Sequence, residues 1–277
     1  MSESFRGKTV VITGAANGIG RALAHAFAAR GASLELCDID EPGLAAVAAE
    51  LPDDLWNDAA RATGVWRLDV RDEARAVEVM AAIVARRGGI DVLVNNAGIS
   101  HHSLADETSR GVVTRVMDVN FYGAVNCTLA ALPSLKARRG VIVTMSSVAG
   151  FAPLFGRSAY AASKHALHGW FDTLRGELAK DQVAVMLVCP SFVRTGIDQR
   201  ALGGDGGPAP QGKPVVGRPA DPETVARTVV QAVAHRRRHV APTALAQVAW
   251  WMNRLVPDLY ERLMLRSQAR HYPGNDR

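Results

Sequence analysis

The sequence predicts an α/β fold in which a doubly wound parallel sheet carries helices on both faces. Short apolar runs rich in β-branched residues alternate with helical patterns, and the first of these pairs recur about every 30 residues. Parallel strands joined through helices take right-handed crossovers, which give this layered arrangement. The 277 residues contain no Pro/Ser-rich linker, so we expect one domain over residues 1–241 with a helical extension of the same domain over residues 242–277.

Composition and charge argue against several classes of protein. The chain is 48% apolar and 21% charged, as ordinary globular proteins are. Its net charge of +5 arises from residues 141–277, which carry 17 basic and 10 acidic side chains. This excess is diffuse and is not interleaved with aromatic residues, so we expect no binding of nucleic acid.

The cysteines and the apolar segments bear on the location of the protein. Cys37, Cys127 and Cys189 lie in apolar contexts and lack the spacing of a disulfide framework or a metal site. We therefore expect buried thiols in a reducing compartment, the cytoplasm. No apolar stretch has the form of a signal peptide or of a membrane-spanning helix, so we expect neither.

The first strand, residues 8–13, runs into a glycine-rich turn and then into a helical pattern. Gly14, Gly18 and Gly20 would let the backbone approach a pyrophosphate, to which the start of the helix would offer free N–H groups. The alternative is a tight turn without a ligand. Because strand, glycines and helix follow one another in this order, we favour a dinucleotide site.

The second strand, residues 33–37, closes with Asp38. An acidic residue about 20 positions beyond the glycines is the expected partner of an adenosine ribose 2′-hydroxyl, and its carboxylate would repel a 2′-phosphate. Neither Asn17 nor Ile39 offers a cation that could compensate, so the sequence predicts NAD over NADP. We expect the acidic residues that follow, Asp40 and Glu41, to lie in the first turn of a helix rather than to bind a ligand.

The fourth strand, residues 90–94, is followed by the tetrapeptide Asn95-Asn96-Ala97-Gly98. Two amides followed by small residues suit a strand end that lies against a flat ligand. The alternative is a turn in which an asparagine side chain bonds the backbone.

Other polar residues lie close to these elements. The third strand, residues 65–68, ends at Asp69. His101 and His102 lie in a predicted loop. We expect these histidines to be solvated rather than to bind a metal, because no third ligand lies at a suitable spacing.

Residues that could perform chemistry follow in the second half of the chain. Asn120 lies inside an apolar helical pattern, either as a satisfied core amide or as part of a polar network. Ser147 follows the end of a predicted buried strand, and Tyr160 and Lys164 would share one face of the next helix. A cation beside the phenol would lower its pKa, and a shift of roughly three units corresponds to about 4 kcal/mol. A Tyr-x-x-x-Lys spacing alone is common and is more often a solvated helix face.

Taken together, these motifs resemble the short-chain dehydrogenase/reductase family over residues 8–240. The glycine-rich turn at 13–20, the tetrapeptide at 95–98, Ser147 and the Tyr160/Lys164 pair occur in the family's order. The resemblance implies a Rossmann fold in which Tyr160 is the general acid/base and Lys164 lowers its pKa while binding the nicotinamide ribose. It also implies that Ser147 bonds the reacting oxygen and that Asn120 anchors Lys164 through a water chain.

The implied cofactor site is drawn from the ends of several strands and from the Tyr/Lys pair. It comprises Gly14, Asn17, Gly18, Ile19, Gly20, Asp38, Asp69, Val70, Asn96, Ala97, Gly98, Tyr160, Lys164, Pro190, Val193 and Thr195. One departure from the family pattern is Ser191, which stands where a glycine is usual and requires a more restricted backbone. The lysine at position 164 is itself informative, since the chain uses 27 arginines and only five lysines.

These residues predict an oxidoreductase that transfers a hydride between NAD(H) and a secondary alcohol or ketone, with no metal required. A mostly apolar pocket formed by Ser147, Phe151, Leu154, Phe155, Tyr160 and Phe192 would favour a lipophilic substrate of aromatic, alicyclic or steroid-like type. Residues 195–219 are rich in glycine and proline and are expected to form a lid over the substrate. Epimerase or dehydratase chemistry with NAD, and a nucleotide-sensing protein without catalysis, are the alternatives.

The C-terminal helical pattern, residues 245–265, is rich in tryptophan, leucine and methionine and is broken by Pro257. It could cover the substrate site, pack on a neighbouring subunit or lie on a membrane surface, and we rank the three roles in that order. The family resemblance also implies a homodimer or homotetramer, built partly from the helices that hold Asn120 and Tyr160.

Overall fold

The structure, a computed structural model, describes residues 4–51, 63–209 and 218–268. Its strands are β1 (Thr9–Thr13), β2 (Ser33–Asp38), β3 (Gly64–Arg67), β4 (Val92–Asn95), β5 (Val141–Met145), β6 (Ala184–Val188) and β7 (His239–Val240). Its helices are α1 (Gly18–Ala28), α2 (Glu41–Glu50), α3 (Glu73–Arg87), α4 (Arg110–Met117), α5 (Gly123–Arg138), α6 (Ser158–Glu177), α7 (Pro222–Ala234), α8 (Ala244–Leu255) and α9 (Pro257–Gln268).

The seven strands form one sheet in the order β3-β2-β1-β4-β5-β6-β7, and every pairing is parallel. The chain moves outward from β1 to β3 and then returns to build the other half from β4. The order therefore reverses between β1 and β4, where open α/β sheets bind ligands at the carboxyl ends of their strands. This arrangement confirms the predicted doubly wound parallel sheet.

Alternation along the strands divides the core into two apolar layers. Val10 and Ile12 of β1 pack with α1 and α7 on one face, whereas Val11 packs with α3, α5 and α6 on the other. Successive strand residues point to opposite faces, so a strand buried on both faces needs an unbroken apolar run. All five residues of β1 and of β5 are accordingly buried.

Most of the predicted strands and helices differ from the observed ones by only a few residues. The exception is the helix predicted over residues 112–135, which is interrupted by a π-helical turn, Asp118–Tyr122, between α4 and α5. This turn carries Asn120, and π-turns inside helices often mark functional positions. The predicted irregular stretch around residue 52, part of the predicted lid and residues 269–277 lie outside the described residues.

The C-terminal extension packs beside the segment that follows β5. Ala246 and Ala249 of α8 are buried against Val148 and Ala152. Thr243 caps α8 by accepting a hydrogen bond from the N–H of Ala246 at 3.2 Å, and α9 begins at a proline that cannot continue α8. The extension therefore lies next to Ser147.

Two further observations concern the cysteines and the apolar helices. Cys37, Cys127 and Cys189 are free and buried, as expected. No helix within residues 4–51, 63–209 and 218–268 combines the length and the apolar character that crossing a bilayer requires.

Candidate active site

The glycine-rich turn between β1 and α1 is tightly packed. Gly14 and Gly18 have φ angles of +64° and +54°, in the left-handed region that favours glycine. A Cβ on Gly14 would lie 2.8 Å from the Cα of Ala97, and one on Gly18 would lie 3.1 Å from the Cγ2 of Thr195. Glycine is thus required where the turn after β1 meets the segments that follow β4 and β6.

Gly20 has a different role from the one expected. A Cβ on Gly20 would overlap the carbonyl oxygen of Gly14, so the absence of a side chain lets α1 pack against the turn. The structure does not bring Gly20 to the wall of the cavity, which Gly14 and Gly18 do line.

Asn96 holds the turn in place from the end of β4. Its side-chain amide donates hydrogen bonds to the carbonyl oxygens of Thr13 at 3.0 Å and Gly14 at 2.9 Å. The hydroxyl of Thr13 in turn accepts hydrogen bonds from the N–H groups of Asn96 and Ala97. Asn96 therefore bonds the backbone, as in the alternative considered above, but to a distant turn rather than its own. Asn95 is buried and donates to the hydroxyl of Thr128.

Asp38 lies at the end of β2 and faces the cavity. One carboxylate oxygen accepts a hydrogen bond from the N–H of Ala16 at 3.0 Å, and the other accepts one from the N–H of Asp40 at 3.1 Å. Both bonds fix the carboxylate beside the glycine-rich turn. Asp40 caps α2, whose first residue is Glu41, so both acidic residues mark the start of a helix.

A second carboxylate lines the same end of the cavity at the end of β3. Hydrogen bonds from Arg71 hold the pKa of Asp69 below its ordinary value, with Arg71 donating to both carboxylate oxygens. Arg200, which the sequence analysis did not place here, donates a hydrogen bond of 2.6 Å to the Oδ1 of Asn17. The cavity wall at this end thus contains carboxylates and cations, and both Arg71 and Arg200 are bonded to a neighbour.

Asn120 is fully hydrogen-bonded. Its Oδ1 accepts from the N–H of Ile99 at 2.8 Å, and its Nδ2 donates to the carbonyl oxygen of Ile99 and to the hydroxyl of Ser163. Ser163 donates in turn to the carbonyl oxygen of Tyr160 at 2.7 Å. Asn120 is therefore both a satisfied core amide and a member of a polar network that reaches α6.

Lys164 lies on the buried face of α6. Its ammonium donates a hydrogen bond of 2.8 Å to the carbonyl oxygen of Met145, and burial lowers its pKa to about 8. A Cβ on Gly98 would lie 3.2 Å from the Oδ1 of Asn120 and 3.7 Å from the Nζ of Lys164. The amide and the ammonium thus border the same glycine, although Asn120 does not line the cavity.

Tyr160 shares that face of α6, and the Nζ of Lys164 lies 5.6 Å from the centre of its ring. The expected effect of the lysine on the phenol is not the dominant one. Burial raises the pKa of Tyr160, while a hydrogen bond with Ser147 and the charge of Arg157 act in the opposite direction and Asp198 adds to the rise. Burial therefore outweighs the opposing effects on the pKa of Tyr160, contrary to the lowering that the sequence analysis predicted.

A charged cluster beside Tyr160 was missed by the sequence analysis. The guanidinium of Arg157 lies 3.2 Å from the carboxylate of Asp198, which also bonds the Nε2 of His102 at 3.1 Å. Arg157 and Asp198 line the cavity. The expectation that His101 and His102 are solvated is wrong, because both are buried beneath the segment around Leu202, with which they form backbone contacts.

One cavity of about 730 Å³ joins these groups. The predicted residues that line it are Gly14, Asn17, Gly18, Ile19, Asp38, Asp69, Val70, Asn96, Ala97, Gly98, Ser147, Leu154, Tyr160, Lys164, Pro190, Phe192, Val193 and Thr195. The structure thus brings nearly all of the implied cofactor site and the Ser/Tyr/Lys group into a single space.

Two of the predicted substrate residues lie outside this lining. Phe151 packs edge-on against Trp250, with ring centres 4.8 Å apart, and so supports α8 from behind the wall. Phe155 is half-buried and is likewise absent from the lining. The aromatic count near Ser147 identified an apolar region but could not show which rings face inward.

The C-terminal helices supply the part of the wall that these rings do not. Leu245, Val248 and Met252 of α8, with Leu263 and Met264 of α9, line the cavity. Ser191 connects this extension to the end of β6, since its hydroxyl lies 2.8 Å from the hydroxyl of Thr243. Its φ is not in the left-handed region, so serine is accommodated at a position where the family usually has glycine.

Known proteins share this arrangement. A family model described as short chain dehydrogenase matches residues 8–203. Dehydrogenase/reductase SDR family member 7B from Danio rerio is 36% identical over 99% of this chain and 89% of its own length. A short chain dehydrogenase/reductase from Burkholderia phymatum, solved in complex with NAD, is 27% identical with a TM-score of 0.79, covering 92% of this chain and 96% of the other.

A second solved structure has a different nucleotide. An alcohol dehydrogenase from Thermococcus sibiricus, complexed with 5-hydroxy-NADP, is 26% identical with a TM-score of 0.73, covering 84% of this chain and 95% of the other. The family match covers more than half of the chain, and it agrees with the parallel sheet, the glycine-rich turn and the Ser/Tyr/Lys group described above. The chain belongs to the short-chain dehydrogenase/reductase family of oxidoreductases.

Proposed function

We propose that the protein is an NAD-dependent dehydrogenase/reductase that interconverts a lipophilic secondary alcohol and the corresponding ketone. The observation that carries this proposal is the single cavity, which extends from Asp38 and the glycine-rich turn to Ser147 and Tyr160 and on to an apolar wall. A dinucleotide and a small organic molecule would then meet at the phenol.

The residues at one end of the cavity suit a nicotinamide dinucleotide. Glycines at positions 14 and 18 leave the backbone of the turn accessible, and α1 begins there with free N–H groups that favour a pyrophosphate. The similar proteins from Burkholderia phymatum and Thermococcus sibiricus were solved with NAD and 5-hydroxy-NADP, which supports a cofactor of this class. When bound, the nicotinamide supplies the hydride acceptor or donor.

We assign the preference for NAD to Asp38. Its carboxylate is fixed by two backbone N–H groups and can accept a hydrogen bond from a ribose hydroxyl, whereas it would repel a phosphate at the same place. The observation that favours NADP instead is Arg200, whose guanidinium reaches Asn17 beside the turn. Arg200 is already bonded to that amide, and Asp38 lies directly at the end of β2, so we propose NAD.

Side chains of the protein donate and accept the proton that is exchanged with the substrate oxygen. In ketone reduction, Tyr160 donates its phenolic proton to the carbonyl oxygen as a hydride is added to the carbon, and Ser147 donates a hydrogen bond to the same oxygen. In alcohol oxidation, the phenolate of Tyr160 accepts the hydroxyl proton as the hydride leaves the carbon. The Lys164 ammonium lies on the same helix face and favours the phenolate that forms on proton donation.

The apolar wall supports a lipophilic substrate. Leu154 and Phe192 line the cavity with Tyr160, and α8 and α9 add Met252 and Met264. Unbranched methionine side chains adapt to irregular apolar molecules. We also propose that the protein is cytoplasmic and forms a homodimer or homotetramer, for which the exposed Leu129 of α5 offers an apolar contact.

The proposal is tested with a panel of aromatic, alicyclic and steroid-like secondary alcohols, followed by the absorbance of NADH at pH 7.5, where Lys164 is still mostly charged. Tyr160→Phe should abolish turnover yet leave NADH affinity nearly unchanged, whereas Tyr122→Phe, at an exposed tyrosine, should remain fully active. A fully active Tyr160→Phe variant would refute the catalytic assignment. Turnover without net NADH formation would favour the epimerase or dehydratase alternative, and NADH binding without any turnover would favour a nucleotide sensor.

A further inference from the structure

The exposed apolar side chains of the protein are concentrated on the C-terminal helices. Thirteen large apolar side chains of the described residues are exposed, and eight of these lie between Leu245 and Leu265. Trp251 is 61% exposed and Leu255 is 71% exposed, although tryptophan and leucine are usually buried. A concentration of this kind marks a surface that is covered by another phase or molecule.

Six of these side chains form one surface, which we call the apolar outer face. On α8, the spacing of Leu245, Val248, Trp251 and Leu255 places them along one side of the helix. Leu259 and Leu263, four residues apart on α9, share one side of that helix, and Leu263 lines the same cavity as Leu245 and Val248.

This face continues into the cavity. Leu245, Val248 and Leu263 are exposed to solvent and also line the cavity wall, so the apolar outer face forms one side of the cavity mouth. On the opposite side of α8, Ala246 and Ala249 are buried against the domain, which fixes the orientation of the helix. A molecule leaving an apolar phase in contact with this face would meet the cavity without crossing water.

The exposed charges on the C-terminal helices and in the turn before β7 are mostly basic. Arg254, Arg262 and Arg266 of α8 and α9 are exposed, and so are Arg237 and Arg238 in the turn before β7. The turn lies beside α8, because the ring centre of His239 lies 5.7 Å from that of Trp250, on the side of the helix away from the apolar outer face. Residues 236–268 carry six arginines against two acidic side chains, Asp258 and Glu261. An anionic surface would therefore be attracted to this face.

The same charges argue against a second copy of the chain as the partner. A two-fold contact places the same patch of both protomers face to face, and here it would bring two arginine-rich rims together. A bilayer containing anionic lipids complements both properties, since its headgroups pair with arginines and its interface accommodates an exposed tryptophan.

We propose that the apolar outer face docks on an anionic lipid bilayer and that the substrate enters the cavity from that bilayer. The docking itself rests on the exposed side chains and the basic rim. The route of the substrate rests on the proposed function, because only a lipophilic alcohol or ketone would be concentrated in the lipid. No helix needs to span the membrane for this interaction, since α8 and α9 would lie along its surface.

The test is co-flotation of the full chain with vesicles of phosphatidylcholine alone or with 30% phosphatidylglycerol, at low and high salt. We expect binding to the anionic vesicles that weakens as salt is raised, together with a blue shift of tryptophan emission. The double variant Trp251→Glu/Leu255→Glu should lose at least tenfold in vesicle binding. The control Val65→Glu/Val77→Glu, at exposed apolar positions on β3 and α3, should bind as the wild type does.

Three results would overturn the proposal. The first is that the wild type does not float with anionic vesicles. The second is that the double variant binds the vesicles as well as the wild type does. The third is that sedimentation velocity shows the double variant to be dissociated from an oligomer while the wild type binds no vesicles, which would make the face a subunit contact. NADH titration of each variant reports whether the nucleotide site is intact. Vesicle binding without alcohol turnover would remove the proposed function and the substrate route but leave the docking in place, so the two failures are distinguishable.

Discussion

Replacing Lys164 with methionine should change how the stability of the protein depends on pH. Burial lowers the pKa of this lysine to about 8, against an ordinary value of 10.5. Its only hydrogen bond among the described contacts is to the carbonyl oxygen of Met145, and it forms none of the observed ion pairs. The native state therefore loses this proton at a lower pH than the unfolded state does.

The sign and size of the effect follow from this difference. Between pH 8 and 10.5 the unfolded chain binds more protons at this lysine than the native chain, so stability rises with pH over that window. Each pKa unit corresponds to 1.36 kcal/mol, so the full rise from this group is about 3 kcal/mol. Below pH 8 the charged lysine is buried at that cost, and Lys164→Met should be more stable than the wild type by a similar amount.

Other groups titrate in the same range, so the assay compares two proteins. Burial raises the pKa of Cys127 and of Cys189 to about 12, and such groups lower stability as the pH rises above their unfolded values. The contribution of Cys127 is the same in the wild type and in the variant, and it cancels in the difference. The charge of Lys164 acts on the pKa of Cys189, so both proteins are compared in a Cys189→Ala background. Urea unfolding followed by tryptophan fluorescence at several values between pH 7.5 and 10.5 gives this difference directly.

The control is Lys180→Met, at an exposed lysine, which should follow the wild type at every pH. The expected result for Lys164→Met is an advantage in unfolding free energy that shrinks steadily as the pH rises from 8 to 10.5. A constant difference between variant and wild type over this window would refute the claim that Lys164 is buried with a lowered pKa.

Three further predictions concern the two ends of the cavity and its support. Asp38→Ala should raise the affinity for NADP relative to NAD by roughly tenfold in fluorescence titrations. A carboxylate and a 2′-phosphate about 5 Å apart in water repel each other by roughly 1.5 kcal/mol, and the variant lacks this repulsion. A wild type that already prefers NADP would contradict this prediction. Gly20→Ala should strongly weaken NADH binding in the same titration, since its Cβ would overlap the turn, whereas Gly169→Ala meets no atom within 4 Å and should bind normally. Burial lowers the pKa of His168 to about 4, so the protein should lose up to about 3 kcal/mol of stability as the pH falls from 6.5 to 4. His168→Leu should lose less stability over this range in acid unfolding. An identical loss in the variant would show that His168 is not the cause.

Features encoded by neighbouring residues could be predicted from the sequence. The parallel sheet follows from apolar runs that alternate with helices, and the glycine-rich turn is recognised by its position between β1 and α1. The Tyr160/Lys164 pair needed only the helical period to place both side chains on one face. Each of these predictions depends on residues that are close together in the chain.

Features that depend on distant residues could not be predicted in this way. Asp198 contacts His102, which is 96 positions away in the sequence, and Arg200 contacts Asn17, which is 183 positions away. No local sequence pattern therefore predicts either contact. The pKa of Tyr160 depends on how completely the surrounding chain buries the phenol, which the spacing to Lys164 does not report. The direction of the Phe151 ring was likewise decided by α8, which packs against it.

The most direct test of the proposed chemistry is a crystal structure of the protein with NAD bound. We predict that the adenosine ribose lies on the carboxylate of Asp38 and that the nicotinamide ring lies in the cavity beside Tyr160 and Lys164. The phenolic oxygen should then face the ring carbon that exchanges the hydride, with room for one substrate carbon between them. A bound nicotinamide whose reactive carbon faces away from Tyr160, beyond the reach of any substrate held by Ser147, would contradict the proposed function.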